Sequence, residues 1–416
     1  MQYEVVIVGA GPSGTTAAMY LGKALGKEKV LLLDKATFPR DKICGDAQGR
    51  KAANILKELG IYEEYTKIPG QKIYGLTLSS PNGTQIHLDV ESRDKPAPGY
   101  THKRKALDNF MFENAKKFAT TKLFTVTDLI IEDKYVKGVV GTNEKGEEEK
   151  IRANIVLAAD GANSVIAQKL GVNKNPQEDF IVATRQYYRN VSGLTDRIEI
   201  HLVKHLIPGY FWIFPMGDNE ANVGLGMIVK DMNSKKVNLK EATLREVKEN
   251  PLFKDRFKDA TPLEDVKGWN LPVASYHRKN HINGLLILGD AASLIDPLSG
   301  EGVGNAMISG RIAALVVIEA LQKSDFSEKF LKKYDEMLWE KIESEIKTSK
   351  KVQKLGKMFP FMIDRLIVKA SKDENFRKKV EAKLPYTSGR EEIGSLEFLM
   401  ELAPDEKEVH KAAKEE

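Results

Sequence analysis

The sequence predicts a mixed α/β fold with a parallel sheet, an antiparallel sheet and a helical C-terminal region. Three observations support this prediction. An apolar run near the N-terminus leads through closely spaced glycines into a helix-like segment. Alternating apolar and polar residues recur through the middle of the chain, which is typical of half-buried strands. From about residue 326 the spacing changes, and Leu338, Ile342 and Ile346 fall on one helical stripe.

The first element is a Rossmann-like strand–turn–helix unit. Val5 to Val8 form an apolar run suited to a buried parallel strand, and Gly9, Gly11 and Gly14 follow as G-x-G-x-x-G. The first glycine permits a tight turn, the second lets the backbone approach a pyrophosphate, and the third lets the helix pack on the strand. The helix start, which contains Ser13, offers N–H groups to phosphates. This unit predicts a dinucleotide site.

A second strand completes the unit. The apolar run Val30 to Leu33 ends in Asp34, and Lys35 follows it. An acidic residue at the tip of the second strand accepts hydrogen bonds from a ribose. Asp34 and Lys35 are therefore candidate cofactor contacts. This motif alone does not distinguish NAD from FAD.

Two later strands each end in a pair of glycine and aspartate. Ile155 to Ala159 is an apolar run that leads into Asp160-Gly161. Leu285 to Leu288 is another, and it leads into Gly289-Asp290. An ordinary strand–loop–helix crossover would explain one of these loops but not both.

A glycine-rich loop follows the later of these two strands. Its candidate cofactor contacts are Gly300, Gly302, Val303 and Gly304, and a helix is predicted to start near Asn305. Closely spaced glycines let a backbone lie against a flat ring. A helix start facing a flavin would stabilise the negative charge that develops on its reduction. The three loops together therefore favour FAD.

At these residues the chain resembles the para-hydroxybenzoate hydroxylase superfamily of FAD proteins. Asp160-Gly161 is similar to the family's DG motif and Gly289-Asp290 to its GD motif. The resemblance implies a Rossmann-like FAD-binding domain of the para-hydroxybenzoate hydroxylase and glutathione reductase type. It further implies that Asp290 binds the ribityl or ribose region. Arg104, in the stretch KRKALDNF, resembles the arginine that contacts the cofactor from a helix start, although a solvated cation is the alternative.

Two further segments give a narrower resemblance. Asp41 to Asp46 reads DKICGD and is similar to the D-K-x-C-G-D segment of geranylgeranyl reductases. Pro208 to Pro215, followed by Gly224-Leu225-Gly226, is similar to their Y-x-W-x-F-P…G-x-G signature. These enzymes saturate carbon–carbon double bonds of long prenyl chains. The chain is identified as a member of this family, which implies that Cys44 and Gly45 lie beside the cofactor.

The aromatic segment suits an apolar substrate. Tyr210, Trp212 and Phe214 alternate, so on a strand they project to one face. Such a wall would bind a prenyl chain with a gain of about 25 cal/mol per Å² of apolar surface buried. Core packing within a sheet is the plainer interpretation of the same alternation. The candidate substrate-binding residues are Tyr210, Trp212, Phe214, Pro215, Gly224 and Gly226.

Cys44 is the only cysteine. An intrachain disulfide and a cysteine-ligated iron–sulfur cluster are therefore excluded. Cys44 is either an inert buried side chain or a contact and proton source beside the flavin. We predict Cys44, with Tyr210 and Trp212 as the substrate wall, as the catalytic residues. The seven histidines show no metal-binding spacing, so no metal site is predicted.

Three functions compete. The favoured one is a flavin-dependent reductase acting on a prenyl chain of a lipid, a diphosphate or a quinone. A flavin monooxygenase or halogenase is the second, because halogenases carry W-x-W-x-I-P, which Tyr210 to Pro215 partly matches. The third is a flavin electron carrier to quinone. The electron donor stays open between NAD(P)H and a ferredoxin.

The motifs lie at both ends of the chain, which predicts discontinuous domains. We place the FAD-binding domain at 1–70, 100–172 and 275–325, the antiparallel substrate sheet at 71–99 and 173–274, and the helical region at 326–416. Within the helical region, two roles are open for the apolar stretch Met358 to Ile363. Either it packs on the main body, or it caps a prenyl tunnel or contacts a membrane.

Composition bears on location and partners. The net charge is +5, and basic residues are interspersed with acidic ones, so no nucleic-acid partner is expected. The first strand begins too early for a cleavable signal peptide. The apolar stretch Ile312 to Leu321 contains Glu319 and is too short to span a bilayer. We expect a cytoplasmic protein that can also contact the inner face of the membrane, since lysines favour anionic headgroups.

Overall fold

The computed structural model describes residues 2–172 and 175–384, together with residues 390, 392, 395, 398 and 402. The strands are, in chain order, β1 (Gln2–Val8), β2 (Val30–Asp34), β3 (Ala47–Gln48), β4 (Gly70–Ile73), β5 (Gly75–Ser79), β6 (Gln85–Asp89), β7 (Gly99–His102), β8 (Thr120–Glu132), β9 (Tyr135–Asn143), β10 (Glu148–Ala158), β11 (Phe180–Arg189), β12 (Arg197–His201), β13 (Tyr210–Pro215), β14 (Ala221–Ile228), β15 (Thr261–Pro262), β16 (Lys267–Pro272), β17 (His281–Ile282) and β18 (Leu285–Ile287). The α-helices are α1 (Pro12–Leu25), α2 (Arg50–Leu59), α3 (Tyr62–Tyr65), α4 (Arg104–Ala115), α5 (Val165–Lys169), α6 (Val229–Ser234), α7 (Leu239–Glu249), α8 (Val303–Lys323), α9 (Glu328–Met358), α10 (Pro360–Lys372) and α11 (Glu374–Lys383).

The first sheet has β1 at its centre. Its parallel strands run in the order β8, β2, β1, β10 and β18, and β17 adds to the outer edge antiparallel. β9 pairs antiparallel with both β8 and β10. The chain leaves β1 toward β2 on one side, and β10 lies on the other. The order of the strands therefore changes direction at β1. In parallel sheets, ligands bind at such a point, beyond the carboxyl ends of the strands.

The predicted strands of the cofactor unit are confirmed in β1, β2, β10 and β18. Because these strands are parallel, their carboxyl ends share one edge of the sheet. Gly9, Asp34, Asp160 and Gly289 lie at the ends of the four strands or within two residues of them and so meet at that edge. The helix after the glycine-rich loop starts at Val303, slightly before the predicted Asn305.

Helices α1 and α8 pack closely against each other over this sheet. A Cβ at Gly310 of α8 would lie 2.2 Å from the carbonyl oxygen of Ser13, so only glycine allows the approach. α8 has 21 residues and is apolar enough to cross a membrane by length and composition, but 78% of its most apolar window is buried in the protein. It is longer than the apolar stretch recognised in the sequence, and it forms part of the core.

The second sheet faces the carboxyl edge of the first. Its order is β15, β11, β14, β13, β12, β5 and β6, and β16 also pairs with β11. The prediction of one wholly antiparallel sheet is wrong for one pair, because β12 and β5 are parallel. The β5–β6 hairpin comes from an early part of the chain, so no tight turn fixes its direction relative to β12.

A small third sheet joins the two large ones. β7 pairs with β3 and β4, all antiparallel. β4 therefore belongs to this sheet, although its residues 71–73 lie in the range 71–99 that the sequence assigned to the antiparallel substrate sheet. β7 leads directly into α4 and brings the start of that helix beside Asp46, whose carbonyl accepts a hydrogen bond from the His102 N–H at 3.1 Å. The domain boundaries stay a prediction.

The C-terminal region is helical through α11, as predicted. Pro360 opens α10, where its fixed φ suits the first helical turn and its missing N–H costs nothing. α10 and α11 pack on β6 through a separate apolar cluster that includes Ile86, Leu88, Ile367 and Phe376. Apart from five single residues, the predicted region beyond 384 lies outside the described residues.

Candidate active site

One continuous cavity of about 1310 Å³ lies between the first sheet, the second sheet and helices α9 and α10. Its two ends differ in chemistry. One end meets the carboxyl edge of the first sheet, where glycines and acidic side chains predominate. The other end is lined mainly by aliphatic and aromatic side chains. The predicted site residues that line it are Gly9, Gly11, Ser13, Asp34, Lys35, Cys44, Gly45, Arg104, Asp160, Gly161, Tyr210, Trp212, Phe214, Gly226, Asp290, Gly300, Gly302 and Val303.

The glycine turn after β1 has the geometry of a phosphate site. Gly9 has φ +101°, and a Cβ there would lie 2.3 Å from the carbonyl oxygen of Ala159. A Cβ at Gly11 would instead meet only the Arg40 guanidinium at 3.9 Å, so the backbone at Gly11 is open to the cavity. The N-cap residue of α1 is Gly11, which has no side chain to cap the first turn, so the N–H groups of this turn can bind an anion. Gly14 packs behind this turn, against the Gly9 carbonyl.

Asp34 is held at the end of β2 by backbone donors. Its Oδ2 accepts a hydrogen bond from the Ala10 N–H at 2.8 Å, and its Oδ1 accepts one from the Ala36 N–H at 2.9 Å. Each carboxylate oxygen has a further lone pair that can accept from a ribose hydroxyl. The carboxylate is therefore oriented before any ligand binds.

Arg104 lies in the cavity wall and is not the solvated cation that the sequence left open. It begins α4, is 6% exposed, and forms a two-point ion pair with Asp108. Arg40 also binds Asp108, at 3.1 Å. Burial lowers the pKa of the guanidinium, but Asp108 and the adjacent Cys44 outweigh it and raise the pKa overall. Arg104 therefore stays charged beside Cys44.

The loop before α8 lies against the aromatic strand. The Tyr210 hydroxyl donates a hydrogen bond to the carbonyl of Ser299 at 2.9 Å. α8 begins at Val303 after Gly302, and no side chain caps its first turn. Its N–H groups are thus available to an electron-rich ring edge. Gly304 does not face the cavity directly, because a Cβ there would meet the Glu301 carboxyl at 2.5 Å.

Tyr210, Trp212 and Phe214 form one wall, as the alternation predicts. Neighbouring ring centroids in this row are 6.1 Å apart. The Trp212 indole N–H donates a hydrogen bond to Oδ1 of Asn222 at 2.9 Å, which fixes the ring. Since these side chains border the cavity, they are more than core packing.

The two glycines of β14 have different roles. A Cβ at Gly224 would lie 2.2 Å from Cζ2 of Trp212, so this glycine makes room for the indole and not for a ligand. A Cβ at Gly226 would have its nearest neighbour at 3.7 Å, and this residue faces the cavity. Pro215 lies off the cavity, where its carbonyl accepts a hydrogen bond from the Thr101 hydroxyl.

A buried polar network behind the wall was not predicted. Asn222 donates from Nδ2 to Oδ2 of Asp46 and to the carbonyl of Cys44, both at 2.8 Å. Tyr187 donates to the same Asp46 oxygen, and the Arg104 N–H donates to the other at 3.2 Å. Burial raises the pKa of Asp46 to about 6 despite these donors. Asp46 closes the DKICGD segment, but only strand pairing shows that Tyr187 and Asn222 lie opposite each other beside it.

Lys42 is a second unpredicted site residue. It lines the cavity, and its Nζ lies 4.1 Å from the ring centroid of Trp269. Burial lowers the pKa of Lys42 to about 8, and nearby Asp290 only partly offsets this. A cation therefore lies close to the aspartate that the GD motif assigns to the cofactor.

The far end of the cavity is apolar. β5, β6 and β12 supply aliphatic residues from one side, and α9 and α10 supply them from the other. The apolar stretch Met358 to Ile363 contributes Phe359, Met362 and Ile363 to this wall. Other residues at this end are Leu76, Leu78, Ile198, Ile200, Leu366 and Ile367.

The residues at the polar end fit FAD. Asp34 suits the ribose, the uncapped start of α1 suits the pyrophosphate, and the uncapped start of α8 suits the flavin ring edge. Among the described residues, none forms a hydrogen bond with the buried Oδ1 of Asp160, and burial raises the pKa of this side chain. A bound polyhydroxyl group would supply the missing donor.

Comparisons with known proteins agree with this geometry. Residues 2–337 match the family model described as FAD binding domain. Digeranylgeranylglycerophospholipid reductase 1 of Methanopyrus kandleri is 34% identical over 348 residues, which cover 82% of this chain and 86% of the relative. Digeranylgeranylglycerophospholipid reductase of Methanocaldococcus jannaschii is 34% identical over 361 residues, which cover 85% and 88%.

Solved structures give the same result for the fold. A geranylgeranyl bacteriochlorophyll reductase-like protein from Thermoplasma acidophilum superposes with a TM-score of 0.82 at 27% identity, covering 96% of this chain and 99% of that one. The myxobacterial halogenase CndH, which is FAD-dependent, superposes with a TM-score of 0.70 at 21% identity, covering 81% and 79%. The second likeness shows a shared fold alone.

The family model and the reductase relatives cover most of the chain. They confirm the predicted fold class and FAD as the cofactor. The DKICGD segment and the aromatic strand, which suggested the narrower resemblance, both lie within the FAD-domain match. The chain therefore belongs to the geranylgeranyl reductase family of FAD-dependent oxidoreductases.

Proposed function

We propose that this protein saturates carbon–carbon double bonds in the geranylgeranyl chains of a glycerophospholipid. The observation that carries the proposal is the single cavity, which runs from the FAD end past Trp212 into an apolar channel. A prenyl chain has no polar group that needs a partner, so aliphatic and aromatic walls suffice to bind it. The curated relatives carry this substrate in their names. A prenyl diphosphate and a prenyl quinone offer the same chain with other head groups.

The protein's part in this reaction is alignment in a dry channel. Reduced FAD supplies a hydride when bound. An isolated alkene is a poor electrophile, so the reacting carbon has to be held close to the hydride donor in the correct orientation. Trp212 is fixed by Asn222 and can hold one face of the chain. Cys44 and Tyr210 border the same space, next to the glycine-rich loop.

We further propose that an external donor, a ferredoxin or NAD(P)H, reduces the FAD. Within the described residues, the turn at Gly9 to Gly14 is the one Rossmann-type phosphate turn, and FAD would occupy it. A nicotinamide donor would therefore bind only transiently at the flavin domain. A ferredoxin would need no such turn.

We also propose that the protein is cytoplasmic and collects its substrate at the inner face of the membrane. Met358, Phe359 and Phe361 are exposed where α9 meets α10, with Phe361 at 54% exposure. Phe359 also lines the apolar channel, so this corner lies where a lipid tail could enter. Basic residues lie along α9 and α10 near the corner, and one that is not ion-paired, as Lys347 is with Glu343 and Lys357 with Asp231, contributes about 1 kcal/mol near an anionic surface. The exposed ones are Lys347, Lys350, Lys351, Lys354, Lys357 and Arg365.

An anaerobic assay tests the proposed reaction. FAD-loaded protein is mixed with a digeranylgeranyl glycerophospholipid and either reduced ferredoxin or NADPH, and the lipid is analysed by mass spectrometry. We expect mass gains of two hydrogens per reduced double bond with at least one donor. Trp212→Ala should lower the yield about tenfold or more while retaining FAD, because misalignment of a reacting group is costly.

Three results would argue against the reaction. The first is saturation that requires oxygen, which would favour oxygenase or halogenase chemistry. The second is flavin that is reduced and reoxidised without any change in the lipid, which would favour an electron carrier. The third is a Trp212→Ala variant that is as active as the wild type.

A further inference from the structure

Glu301 is an acidic side chain within the glycine-rich loop that faces the predicted flavin position. It lies between Gly300 and Gly302, and it lines the cavity. A Cβ at Gly300 would lie 3.4 Å from the Tyr210 hydroxyl, so the loop adjoins the aromatic wall. The Glu301 carbonyl accepts a hydrogen bond from the Asp296 N–H at 2.9 Å, which fixes the loop backbone. The carboxyl group is therefore presented from a defined position.

Two glycines leave the space that the Glu301 carboxyl group fills. A Cβ at Gly304 would lie 2.5 Å from Oε1 of Glu301, and a Cβ at Gly49 would lie 3.9 Å from it. Oε1 is shielded from water and has no hydrogen-bond partner in the part of the chain that the structure describes. Shielding of this oxygen without a hydrogen-bond donor disfavours the ionised carboxylate. The position suits a neutral acid.

The neighbouring charges shift the pKa of Glu301 and the pKa of a second glutamate in the same cavity, Glu345, in opposite directions. Lys51 lies 2.6 Å from Glu345 and donates to Asn305 at 2.8 Å, and Arg390 lies 3.2 Å from Glu345. Burial raises the pKa of Glu345, but Lys51 and Arg390 outweigh it and hold that pKa below its usual range.

Glu301 has the opposite balance. Burial raises its pKa, the attraction of Lys51 offsets this only partly, and Glu345 and Asp296 raise it further. The charged groups that act on Glu301 thus come from α2, α9, its own loop and Arg390. Two carboxyl groups whose pKa values are driven apart in one site are a recurring arrangement for acid–base chemistry.

We propose that Glu301 donates the proton that completes saturation of the alkene. This inference rests on the proposed reduction of prenyl double bonds. When bound, reduced FAD would supply a hydride, with its electron pair, for a new C–H bond at one alkene carbon. The π bond breaks, and its electrons form a second C–H bond with the proton of the Glu301 carboxyl group at the other carbon. FAD is left oxidised and Glu301 is left as a carboxylate, which Lys51 and Arg390 can stabilise until water reprotonates it.

Other acidic groups in the wall are less suited to this role. Asp46 also borders the cavity, but both of its oxygens accept hydrogen bonds from protein donors and its side chain is buried. The Tyr210 hydroxyl donates a hydrogen bond to the Ser299 carbonyl, and burial raises the pKa of the phenol. Cys44 and Lys42 border the cavity and are the alternatives that the experiment has to separate.

The test follows the reoxidation of reduced FAD by a prenyl lipid. FAD-loaded wild type and variants are reduced with dithionite and mixed anaerobically with a digeranylgeranyl glycerophospholipid. We expect Glu301→Gln to reoxidise about 100-fold more slowly, the usual contribution of a positioned acid. Glu301→Asp should recover part of the rate. Glu340→Gln, which changes an exposed glutamate on α9, should match the wild type.

A second readout does not depend on turnover. Infrared spectra of the FAD-loaded protein should show a protonated carboxylic acid band in the wild type that is missing in Glu301→Gln and present in Glu340→Gln. The FAD content of all variants should be equal.

Several outcomes would overturn the inference. Reoxidation by Glu301→Gln within threefold of wild type would exclude Glu301 as the donor. A 100-fold loss confined to Cys44→Ser or Lys42→Gln would assign the proton to that residue. An unchanged infrared band in Glu301→Gln would show that the side chain is ionised at rest. A wild type that leaves every prenyl lipid unsaturated would refute the proposed function as well.

Discussion

Lys42 is a cation in a cavity whose far end is apolar, and its pKa of about 8 reflects burial. Lysine in water has a pKa near 10.5. Between these two values the unfolded chain binds a proton that the folded protein has released. Stability should therefore rise with pH across this window, and the cost of holding the charge is fully present below pH 8.

Lys42→Met should remove this pH dependence. In FAD-free protein at pH 7 we expect the variant to be more stable than the wild type by at most about 3 kcal/mol. Loss of the contact between Lys42 and Trp269 should reduce this gain. The difference should shrink toward pH 10. Urea unfolding of both proteins at the two pH values measures it. Lys372→Met, at an exposed site on α10, is the control. A difference that is equal at both pH values would contradict the assignment.

Individual site residues could be predicted where a motif fixes the backbone. Gly9, Asp34 and Asp290 lie at strand ends, and the parallel strands bring them together without help from the rest of the chain. Asn222 and Tyr187 carry no such signal. They meet Asp46 only because β14 pairs with β11 in one register, and register is set by packing of the whole sheet.

At the scale of elements, the pair β13 and β14 determines the shape of the substrate wall. Trp212 lies opposite Gly224, and Tyr210 lies opposite Gly226. The sequence showed the two glycines as equivalent. In the structure Gly224 leaves room for the indole of Trp212, whereas Gly226 faces the cavity, because the tryptophan ring lies directly over Gly224.

Substitution of these two glycines should therefore have unequal effects. A Cβ at Gly224 would lie 2.1 Å from the Thr184 carbonyl and 2.2 Å from the Trp212 ring, so Gly224→Ala should destabilise the protein by about 2–3 kcal/mol. Gly226→Ala meets no such clash and should change stability by less than about 1 kcal/mol. Urea unfolding followed by circular dichroism compares the two. Equal losses would show that the indole moves easily.

Element boundaries were predictable where apolar runs end in glycine or proline. β1, which ends before Gly9, and the start of α10 at Pro360 follow this rule. The parallel pairing of β5 with β12 did not follow from local pattern, since alternation is the same for either direction. The start of α8 at Val303 also required the structure, because glycines permit several helix starts.

At the scale of the molecule, the corner between α9 and α10 combines exposed apolar side chains with basic ones. Met358 is 55% exposed and Phe361 is 54% exposed. A free protein would gain little from this surface, whereas an anionic bilayer would bury the apolar groups and attract the lysines. The corner also borders the apolar end of the cavity, which would shorten the path of a lipid tail.

Binding to vesicles tests this surface. The wild type should bind vesicles that contain phosphatidylglycerol more tightly than vesicles of phosphatidylcholine alone. Met358→Ser combined with Phe361→Ser should weaken binding about tenfold, since a partly buried aromatic is worth about 1.4 kcal/mol or more. Ile131→Ser removes a side chain that is 57% exposed on β8 and is the control. Equal binding by all three proteins would exclude this corner as the membrane contact.

The division of the chain into a flavin part, a sheet part and a helical part could be predicted from the order of motifs. The apolar channel could not be predicted, because its walls come from β5, β12 and α10, which are far apart in sequence. At its far end α10 packs on β6, and Ile367 and Leu88 belong to one apolar cluster there. No local pattern indicates that contact, since both residues are ordinary members of amphipathic elements.

The positions of the tryptophans have a practical consequence. The chain has three, and two of them, Trp212 and Trp269, border the cavity. The third, Trp339, stacks on His277 away from it, with ring centroids 4.2 Å apart. An isoalloxazine close to an indole quenches its emission by energy transfer. Intrinsic fluorescence should therefore dim as the flavin binds and change again as a lipid tail enters, so occupancy can be followed without any added label.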